Sequence, residues 1–460
     1  MLARGSRMQA MLVALLLVLA VLAMLAYAKS AHILLGAEAY VYGYPLVIVD
    51  VTRANADKLT GARNQLLRVR RFPDARFKDV VRPNVDTLYT SAFIDMQQGP
   101  WVFEMAPNTQ RYEVMPFLDA WTNVFASPGT RTNGTQGARY LLAGRLWQGE
   151  VPAGLTLLRA PTDLVWLIGR TQTNGAGDYS VVHGLQDGVT LRSLADWQAG
   201  KPASAPPPRA PAGVQNPEPP IRQMRAMDVS AFFTRLASLM VDNPPAASDA
   251  AMLSKLARIG IKPGHAPEWN ALDRWAVALG RWLADRNVAR ELGRRPTLRG
   301  WVTPPSMLGN YGEAYSLRAV VAMIGLGANL PADAMYPSAA LDGAGAPLHG
   351  DHRYRIHFAR DALPPVQAFW SITAYGADDF FIDNPLGRYA LGDRDPLVYN
   401  PDGSLDLLVQ AEAPSAAQLR NWLPVRAGEP FLLNARLYWP RAAALDGSWS
   451  MPAVERIDPS

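Results

Sequence analysis

The sequence contains no cysteine, and this absence excludes several kinds of chemistry at once. Disulfide bonds, thiolate nucleophiles, cysteine-ligated zinc and iron–sulfur clusters are all ruled out. Lysine is scarce too, with 6 residues among the 45 basic side chains, and a net charge of +5 is spread over 460 residues. Binding of nucleic acid needs a dense stripe of basic side chains, so we expect no nucleic-acid partner.

The signatures of common catalytic sites are also missing. The sequence has no Gly-x-Ser-x-Gly elbow, no Walker-type loop and no Gly-x-Gly-x-x-Gly after a strand. Three of its six histidines, His349, His352 and His357, lie close together. A loop rich in Gly and Asp surrounds the first two, which favours a polar surface loop over a metal site. We therefore predict no metal and no cofactor.

A long apolar run opens the chain. Arg4 and Arg7 precede an uncharged stretch from Ala10 to Tyr27, and the triplet 26–28 is typical of a signal-peptide cleavage site. The run is also long enough to span a bilayer. Residues 1–29 are thus interpreted as a retained membrane anchor or a signal cleaved after Ala28, with a buried helix as a third reading. The basic flank keeps the N-terminus cytoplasmic and places the remainder outside the cytoplasm.

Short apolar stretches between turn residues predict a β domain over residues 30–200. It begins with a helix from Ser30 to Tyr42, which we expect Pro45 to end. Strands are predicted at 101–105 and 164–168, among other places, because Gly, Pro and Asn bound these stretches. Such short strands are typical of an antiparallel sandwich or barrel.

The second half changes character twice. Residues 201–225 are predicted to be a linker, since eight Pro fall within 201–220. Residues 226–300 show apolar side chains at helical spacing and predict a helical domain, followed by a connecting segment over 301–345. Over 346–460 strands return, as in Tyr354–Phe358, where apolar and polar residues alternate.

Several longer motifs resemble a pair of bacterial families. The first is domain-of-unknown-function family 1254, whose signatures resemble the stretches at 39–45, 84–92, 129–134 and 161–170. The second is its usual companion, family 1214, which resembles the motifs at 364–365, 369–373, 383–389, 421–424 and 436–440. The resemblance covers nearly the whole chain after residue 29, and the motifs occur in the expected order.

The resemblance implies a fold more than a function. It implies an N-terminal immunoglobulin-like β-sandwich, a small α-helical domain and a C-terminal jelly-roll-like β-sandwich, so the fold class is mainly β with a helical insert. Many relatives are exported, which agrees with a location in the bacterial cell envelope. The families have no assigned catalytic residues, so none is transferred to this chain.

Two carboxylates are the candidates for catalysis. Asp86 lies between Asn84 and Tyr89 at the start of a predicted strand, and Asp119 belongs to the same β domain. Glycoside hydrolysis needs two carboxyl groups at a defined separation, which the sequence does not give. A cap at the strand start is the alternative role for Asp86.

Aromatic, amide and Arg side chains suggest where a ligand binds. Sugar rings stack on flat aromatic faces, and their hydroxyls bond to Asn, Asp and Arg. The candidate ligand-binding residues are Tyr89, Arg131, Trp370, Asn384, Arg388, Asn421 and Trp422. Core packing is the competing role for the aromatic members.

The sequence leads to two hypotheses. One is an exported, membrane-anchored envelope protein that binds or hydrolyses a glycan, or another small molecule, in a cleft between its domains. The other is a scaffold without enzymatic activity that holds partners at the membrane. The oligomeric state does not follow from the sequence.

Overall fold

The computed structural model describes residues 2–60, 63–78, 81–203, 218–293 and 297–457. Most of the predicted linker, residues 204–217, lies outside the described residues. The described helices are α1 Leu2–Ala28, α2 Ser30–Thr60, α3 Thr130–Asn133, α4 Tyr179–Asp187, α5 Leu194–Gln198, α6 Pro220–Ala226, α7 Val229–Asp242, α8 Ala250–Ala257, α9 Ala271–Gly293, α10 Tyr315–Ile324 and α11 Ala442–Leu445.

The strands fall into two groups along the chain. The first group is β1 Leu67–Arg68, β2 Thr87–Asp95, β3 Trp101–Met105, β4 Glu113–Val114, β5 Phe117–Asp119, β6 Val124–Ala126, β7 Ala138–Ala143, β8 Thr156–Arg159, β9 Leu164–Gln172 and β10 Val189–Ser193. The second is β11 Trp301–Val302, β12 Ala334–Met335, β13 Ser338–Ala339, β14 Tyr354–Phe358, β15 Val366–Gly376, β16 Ala390–Gly392, β17 Leu405–Gln410, β18 Trp422–Pro424, β19 Phe431–Pro440 and β20 Val454–Arg456.

The prediction that α2 ends at Pro45 is wrong, because the helix continues to Thr60. A proline inside a helix costs about 3 kcal/mol through a lost hydrogen bond and a steric clash. Tight packing offsets this cost. Leu46, Val47 and Val49 are buried, and a Cβ on Gly43 would lie 2.5 Å from the Leu236 side chain. The expected helices of residues 226–300 are confirmed as α7, α8 and α9.

The chain divides into two compact units. The first comprises Met1–Val51, Pro220–Arg294 and Gly312–Val320, and the second comprises Thr52–Pro219, Arg295–Tyr311 and Val321–Ser460. The first unit is helical, and the strands belong to the second. The predicted mainly β character is confirmed, because the described residues form four sheets and several helices.

Two sheets are built from the first group of strands. A six-stranded sheet has the order β1-β2-β9-β5-β6 with β4 beside β9, and a four-stranded sheet has the order β10-β3-β7-β8. Both sheets contribute to one apolar core, for example Ile94 and Leu167 from the six-stranded sheet and Phe103 and Leu142 from the four-stranded sheet. Alternation along each strand sends its other side chains to the opposite face.

The second group repeats this arrangement. Its sheets have the orders β11-β13-β19-β15-β16, with β12 beside β19, and β18-β17-β14-β20. Ile372 and Leu433 from the first of these sheets share a core with Ile356 and Leu407 from the second. The long antiparallel pair of β15 and β19 extends from Val366 opposite Pro440 to Gly376 opposite Phe431, and it carries polar residues of the candidate site.

Among the described residues, two helices have the length and composition to cross a membrane. Met11–Ala28 has a mean hydropathy of 2.8, and none of it is buried, whereas Ser30–Lys58 is mostly buried within the protein. A buried helix of that kind is typical of a protein core. The N-terminal helix is compatible with a signal or an anchor, as the sequence predicts.

Candidate functional site

Asp86 lies at the centre of a buried group of polar side chains. The turn before β2 fixes its position, because the Asn84 side-chain oxygen accepts the backbone N–H groups of Asp86 and Thr87, each at 3.0 Å. Asp86 is fully buried, and its Oδ2 accepts a hydrogen bond from Ser371 Oγ at 2.8 Å. Arg394 pairs directly with Oδ1 of the same carboxylate.

A second guanidinium, that of Arg436 on β19, approaches the same carboxylate. Its Nε lies 4.0 Å from Asp86 Oδ2. Its Nη atoms donate to Thr373 Oγ1 at 2.8 Å and to the Tyr375 hydroxyl at 2.6 Å. The Asp86 carboxylate is thus paired with two guanidinium groups inside the protein, while Arg394 Nε is buried without a hydrogen-bond partner among the described residues. We call Asp86, Ser371, Arg394 and Arg436 the Asp86 joint.

Asp393 lies beside the joint and carries a perturbed carboxyl group. Burial raises its pKa to about 6, against the lowering effects of the Trp370 backbone N–H and the Arg394 charge. The Trp370 N–H donates to Asp393 Oδ1 at 3.1 Å.

Arg131 forms a similar buried contact. Its Nε lies 2.5 Å and its Nη2 3.1 Å from the two oxygens of Asp333, which is fully buried. Ser127 Oγ donates to the same carboxylate at 2.6 Å. The Tyr112 hydroxyl donates to the Asp333 carbonyl at 3.1 Å. Arg131 thus anchors the segment around Asp333 to the first group of strands.

A polar groove lies elsewhere, along the four-stranded sheet β10-β3-β7-β8. It has a volume of about 710 Å³, within the range of small-molecule sites. Register brings its charged residues together, because Glu104 on β3 faces Arg139 on β7 and Thr190 on β10. Its lining residues are Glu104, Met105, Ala106, Pro107, Asn133, Gln136, Gly137, Ala138, Arg139, Tyr140, Gly154, Thr156, Gly188 and Thr190.

The Glu104 carboxylate organises the charges of this groove. Oε1 lies 3.4 Å from Arg139 Nε, and Oε2 pairs with Arg192 and accepts from Thr190 Oγ1 at 3.4 Å. The Arg139 side chain is 65% exposed, so most of its donors face solvent. At the other end, Asn133 Nδ2 donates to the Tyr140 hydroxyl at 2.6 Å. The groove therefore offers charged and amide groups to a polar ligand.

Two protein-family models match this chain. One family model, "Protein of unknown function (DUF1254)", matches residues 63–193, and a second, "Protein of unknown function (DUF1214)", matches residues 333–442. Residues 63–193 are thus a DUF1254 region, and residues 333–442 are a DUF1214 region. The resemblance found in the sequence is thus confirmed. The Asp86 joint and the Arg131–Asp333 pair both connect the DUF1254 region to the DUF1214 region.

Two solved structures resemble this chain, and the first of them shares its fold. The VPA0106 protein from Vibrio parahaemolyticus matches with a TM-score of 0.68 and 24% identity over 93% of this chain and 100% of that chain. An uncharacterized protein from Burkholderia cenocepacia matches with a TM-score of 0.43 and 14% identity over 92% of this chain and 88% of that chain. Among curated proteins there is no match.

The other two candidates of the DUF1254 region, Tyr89 and Asp119, have different structural roles. Tyr89 accepts a hydrogen bond from Asn84 Nδ2 at 2.7 Å, and the Arg170 guanidinium lies 5.1 Å from its ring centre. Asp119 caps a turn, because its Oδ1 accepts the backbone N–H groups of Trp121 and Asn123 at 2.9 and 2.8 Å. The predicted catalytic role of Asp119 stays a prediction.

The candidate side chains of the DUF1214 region bond to backbone carbonyl groups or pack in the core. Trp370 is buried in the core, 5.5 Å from the Phe358 ring. Arg388 donates to the carbonyls of Leu419 and Trp422 at 2.6 and 2.9 Å, which brings Arg388, Asn421 and Trp422 into one neighbourhood.

Amide and indole groups complete that neighbourhood. Asn421 Nδ2 donates to the Val398 and Asp406 carbonyls at 2.7 and 2.8 Å, and Trp422 Nε1 donates to the Gln410 carbonyl at 2.9 Å. Asn384 Nδ2 donates to the Arg388 carbonyl at 2.9 Å and so closes a turn. Their predicted role in ligand binding stays a prediction.

The histidines of the C-terminal loop do not gather around one point. The rings of His349 and His352 are 6.4 Å apart, and His357 Nδ1 lies 2.7 Å from Asp406 Oδ1. Within the described ranges, no three His, Asp or Glu side chains form a group that could hold a metal ion.

Proposed function

We propose that this protein is an exported, membrane-anchored envelope protein that binds a glycan in the polar groove of its DUF1254 region. The observation that carries the proposal is that Glu104, Asn133, Gln136 and Arg139 line one open volume of about 710 Å³, where Gln136 and Arg139 are exposed to solvent. Planar carboxylate, guanidinium and amide groups are the usual partners of sugar hydroxyls. The sequence predicts a ligand of this class, but it predicts the site between the domains.

The anchor rests on the N-terminal apolar helix. Met11–Ala28 exposes its apolar side chains over a length that matches a bilayer core. Arg4 and Arg7 precede it, and this charge bias favours a cytoplasmic N-terminus. The bulk of the chain then lies on the periplasmic or outer side of the membrane.

We infer that each pair of sheets is a β-sandwich, immunoglobulin-like in the DUF1254 region and jelly-roll-like in the DUF1214 region. The shared core of each pair supports this inference, because two sheets that bury one common cluster pack face to face. In such a sandwich the groove side chains Glu104 and Arg139 lie on the face turned away from the core.

Binding is better supported than hydrolysis. The carboxylates of Asp86 and Asp119 already accept hydrogen bonds from the protein, and Asp86 is fully buried. A general acid or base must reach the substrate directly or through one water molecule. Use of Asp86 for this purpose requires the Asp86 joint to open first.

The experiment is a binding titration of the full-length protein in detergent against neutral, acidic and N-acetylated oligosaccharides. We expect one class to bind wild type and to lose about tenfold or more in affinity with Arg139→Ala, since a charged hydrogen bond contributes about 1.5–3 kcal/mol. Arg426→Ala is the matched control, because Arg426 is about half exposed and pairs with Glu429 outside the groove. Equal affinity of wild type and Arg139→Ala, or no binding by any class, contradicts the proposal.

A further inference from the structure

The helical unit begins directly where the apolar helix ends. Only Lys29 separates α1 from α2, and the backbone hydrogen bonds continue across it. The Lys29 N–H donates to the Leu25 carbonyl at 2.9 Å, and the Ile33 N–H donates to the Lys29 carbonyl at 3.0 Å. If α1 crosses a membrane, as the proposed function states, no flexible linker holds the folded unit away from the lipid.

A partly buried ion pair brings the start of α9 to the same level. Lys29 Nζ lies 2.7 Å and His32 Nε2 3.4 Å from Asp273 Oδ1. The Asn270 side chain caps α9 by accepting the N–H groups of Leu272 and Asp273 at 2.9 Å. The ion pair therefore holds the N-terminal end of α9 next to Lys29, the residue that follows α1.

Close packing sets the direction in which α9 leaves this point. A Cβ on Gly280 would lie 2.2 Å from the Ile33 carbonyl oxygen, and a Cβ on Gly36 would lie 3.1 Å from Val277 Cα. The Arg281 guanidinium then lies 4.9 Å from the Tyr40 ring centre. The outer contacts, Lys29 with Asp273 and Tyr40 with Arg281, advance in the same direction along both helices, so α9 runs beside α2 and away from the end of α1.

Exposed aromatic and basic side chains occupy the level of this junction. Tyr27 is 85% exposed at the end of α1, and Trp275 is 37% exposed in the first turn of α9. Arg274 is exposed next to it. Tyr and Trp concentrate at the boundary between lipid and water, where a ring sits among headgroups. Arg has five N–H donors, and those that do not bond to the Trp269 carbonyl can bind phosphate.

We propose that Tyr27, Arg274 and Trp275 form a membrane-facing collar, which docks the helical unit onto the phospholipid headgroups around α1. The occupant of this surface is the bilayer itself, because the collar continues the apolar helix without a gap. The anchor is then a retained part of the fold, and α9 projects from the membrane with a fixed orientation.

The absence of cysteine makes a direct test possible. Ala271→Cys and Ala289→Cys place single labels on exposed positions of α9, at the collar and about 27 Å further along the helix at 1.5 Å per residue. The full chain is placed in phosphatidylcholine nanodiscs that contain a headgroup nitroxide. We expect the fluorescent label at 271 to be quenched at least about threefold more than the label at 289, because only the former lies within reach of the headgroups.

A third variant tests the collar itself. Trp275→Ala in the Ala271→Cys chain should reduce the quenching at 271. Equal quenching at 271 and 289 in a chain that stays in the nanodisc overturns the collar and leaves the anchor intact. If expression of the full-length sequence yields a soluble chain from which residues 1–28 have been cleaved, both the anchor and the collar are overturned. Neither outcome affects the glycan groove, which is tested separately.

Discussion

The DUF1254 region contributes to two groups of charged side chains that differ in almost every physical respect. In the Asp86 joint a fully buried carboxylate meets two guanidinium groups that come from the DUF1214 region. In the groove, Glu104 meets Arg139 and Arg192 at a surface where the Arg139 side chain is 65% exposed. Charges that leave water must be paired to remain stable, whereas exposed charges are free to exchange partners with a ligand.

The difference suggests a division of roles. The joint holds two family regions together and has few donors left for a ligand. The Arg139–Glu104 pair of the groove contributes little to stability, because an ion pair with an exposed partner is worth about 0–1 kcal/mol, yet Arg139 is presented to solvent. Substitutions in the two places should therefore affect different measurements.

Asp86→Ala should have the largest effect. It leaves the guanidinium groups of Arg394 and Arg436 buried without their carboxylate, and removal of one partner from a buried pair costs about 3–5 kcal/mol. Urea unfolding of the full-length protein in detergent measures the loss. Asp86→Asn, which keeps an acceptor for Ser371, should cost less. A loss below about 1 kcal/mol in Asp86→Ala would show that the joint does not stabilise the fold.

Glu113→Gln should change how stability depends on pH. Burial raises the pKa of Glu113 to about 7, against a hydrogen bond from Asn108 that lowers it. The folded state thus favours the neutral acid. The contribution of Glu113 to stability is therefore highest below its unfolded pKa near 4.5 and falls as the pH rises to 7. The whole loss is about 3 kcal/mol at roughly 1.4 kcal/mol per pKa unit.

The variant removes this loss. Glu113→Gln should be more stable than wild type by about 3 kcal/mol above pH 7 and about equal to it below pH 4.5, because the amide does not ionise. Thermal unfolding of both proteins at pH 4.5 and pH 8 gives the two differences. A difference that does not change with pH would mean that Glu113 ionises normally in the folded protein.

Asn84→Ala should cost less, about 1–2 kcal/mol, because it removes two backbone hydrogen bonds that hold the turn before β2. Asn84→Asp keeps the acceptor for both N–H groups but loses the amide that donates to the Tyr89 hydroxyl, so it should recover part of the stability. Unfolding midpoints of the two variants make the comparison. If Asn84→Asp is as unstable as Asn84→Ala, the turn is not held by this acceptor.

Arg139→Ala should have the smallest effect on stability, within about 0.5 kcal/mol, since its side chain is mostly exposed. Its effect belongs to binding, where the proposed function expects a loss of about tenfold or more. A large drop in stability would place Arg139 among the structural residues instead.

The sequence predicted much of the local structure. Alternation at Tyr354–Phe358 identified β14, and helical spacing identified α7 to α9. Pro45 misled the prediction of α2, because only tertiary packing shows that the helix tolerates it. Local patterns thus predict elements well where no distant contact overrides them.

The site was harder to predict because its contacts are distant along the chain. The sequence marks Asp86 as a candidate, but its partner Arg394 lies 308 residues away. The groove is not evident in the sequence, since Glu104 and Arg139 meet only through the register of β3 against β7. An outward-facing charged residue on each strand was the available signal, but the sequence does not specify which strands pair.

Hydrogen exchange of the full-length protein with and without a binding oligosaccharide tests the central claim most directly. Binding in the groove predicts slower exchange in residues 104–107, 136–140 and 188–190, with unchanged exchange around Asp86 and in residues 369–375. Slower exchange around Asp86 and in residues 369–375, without a change in the groove, would contradict it and move the ligand to the joint.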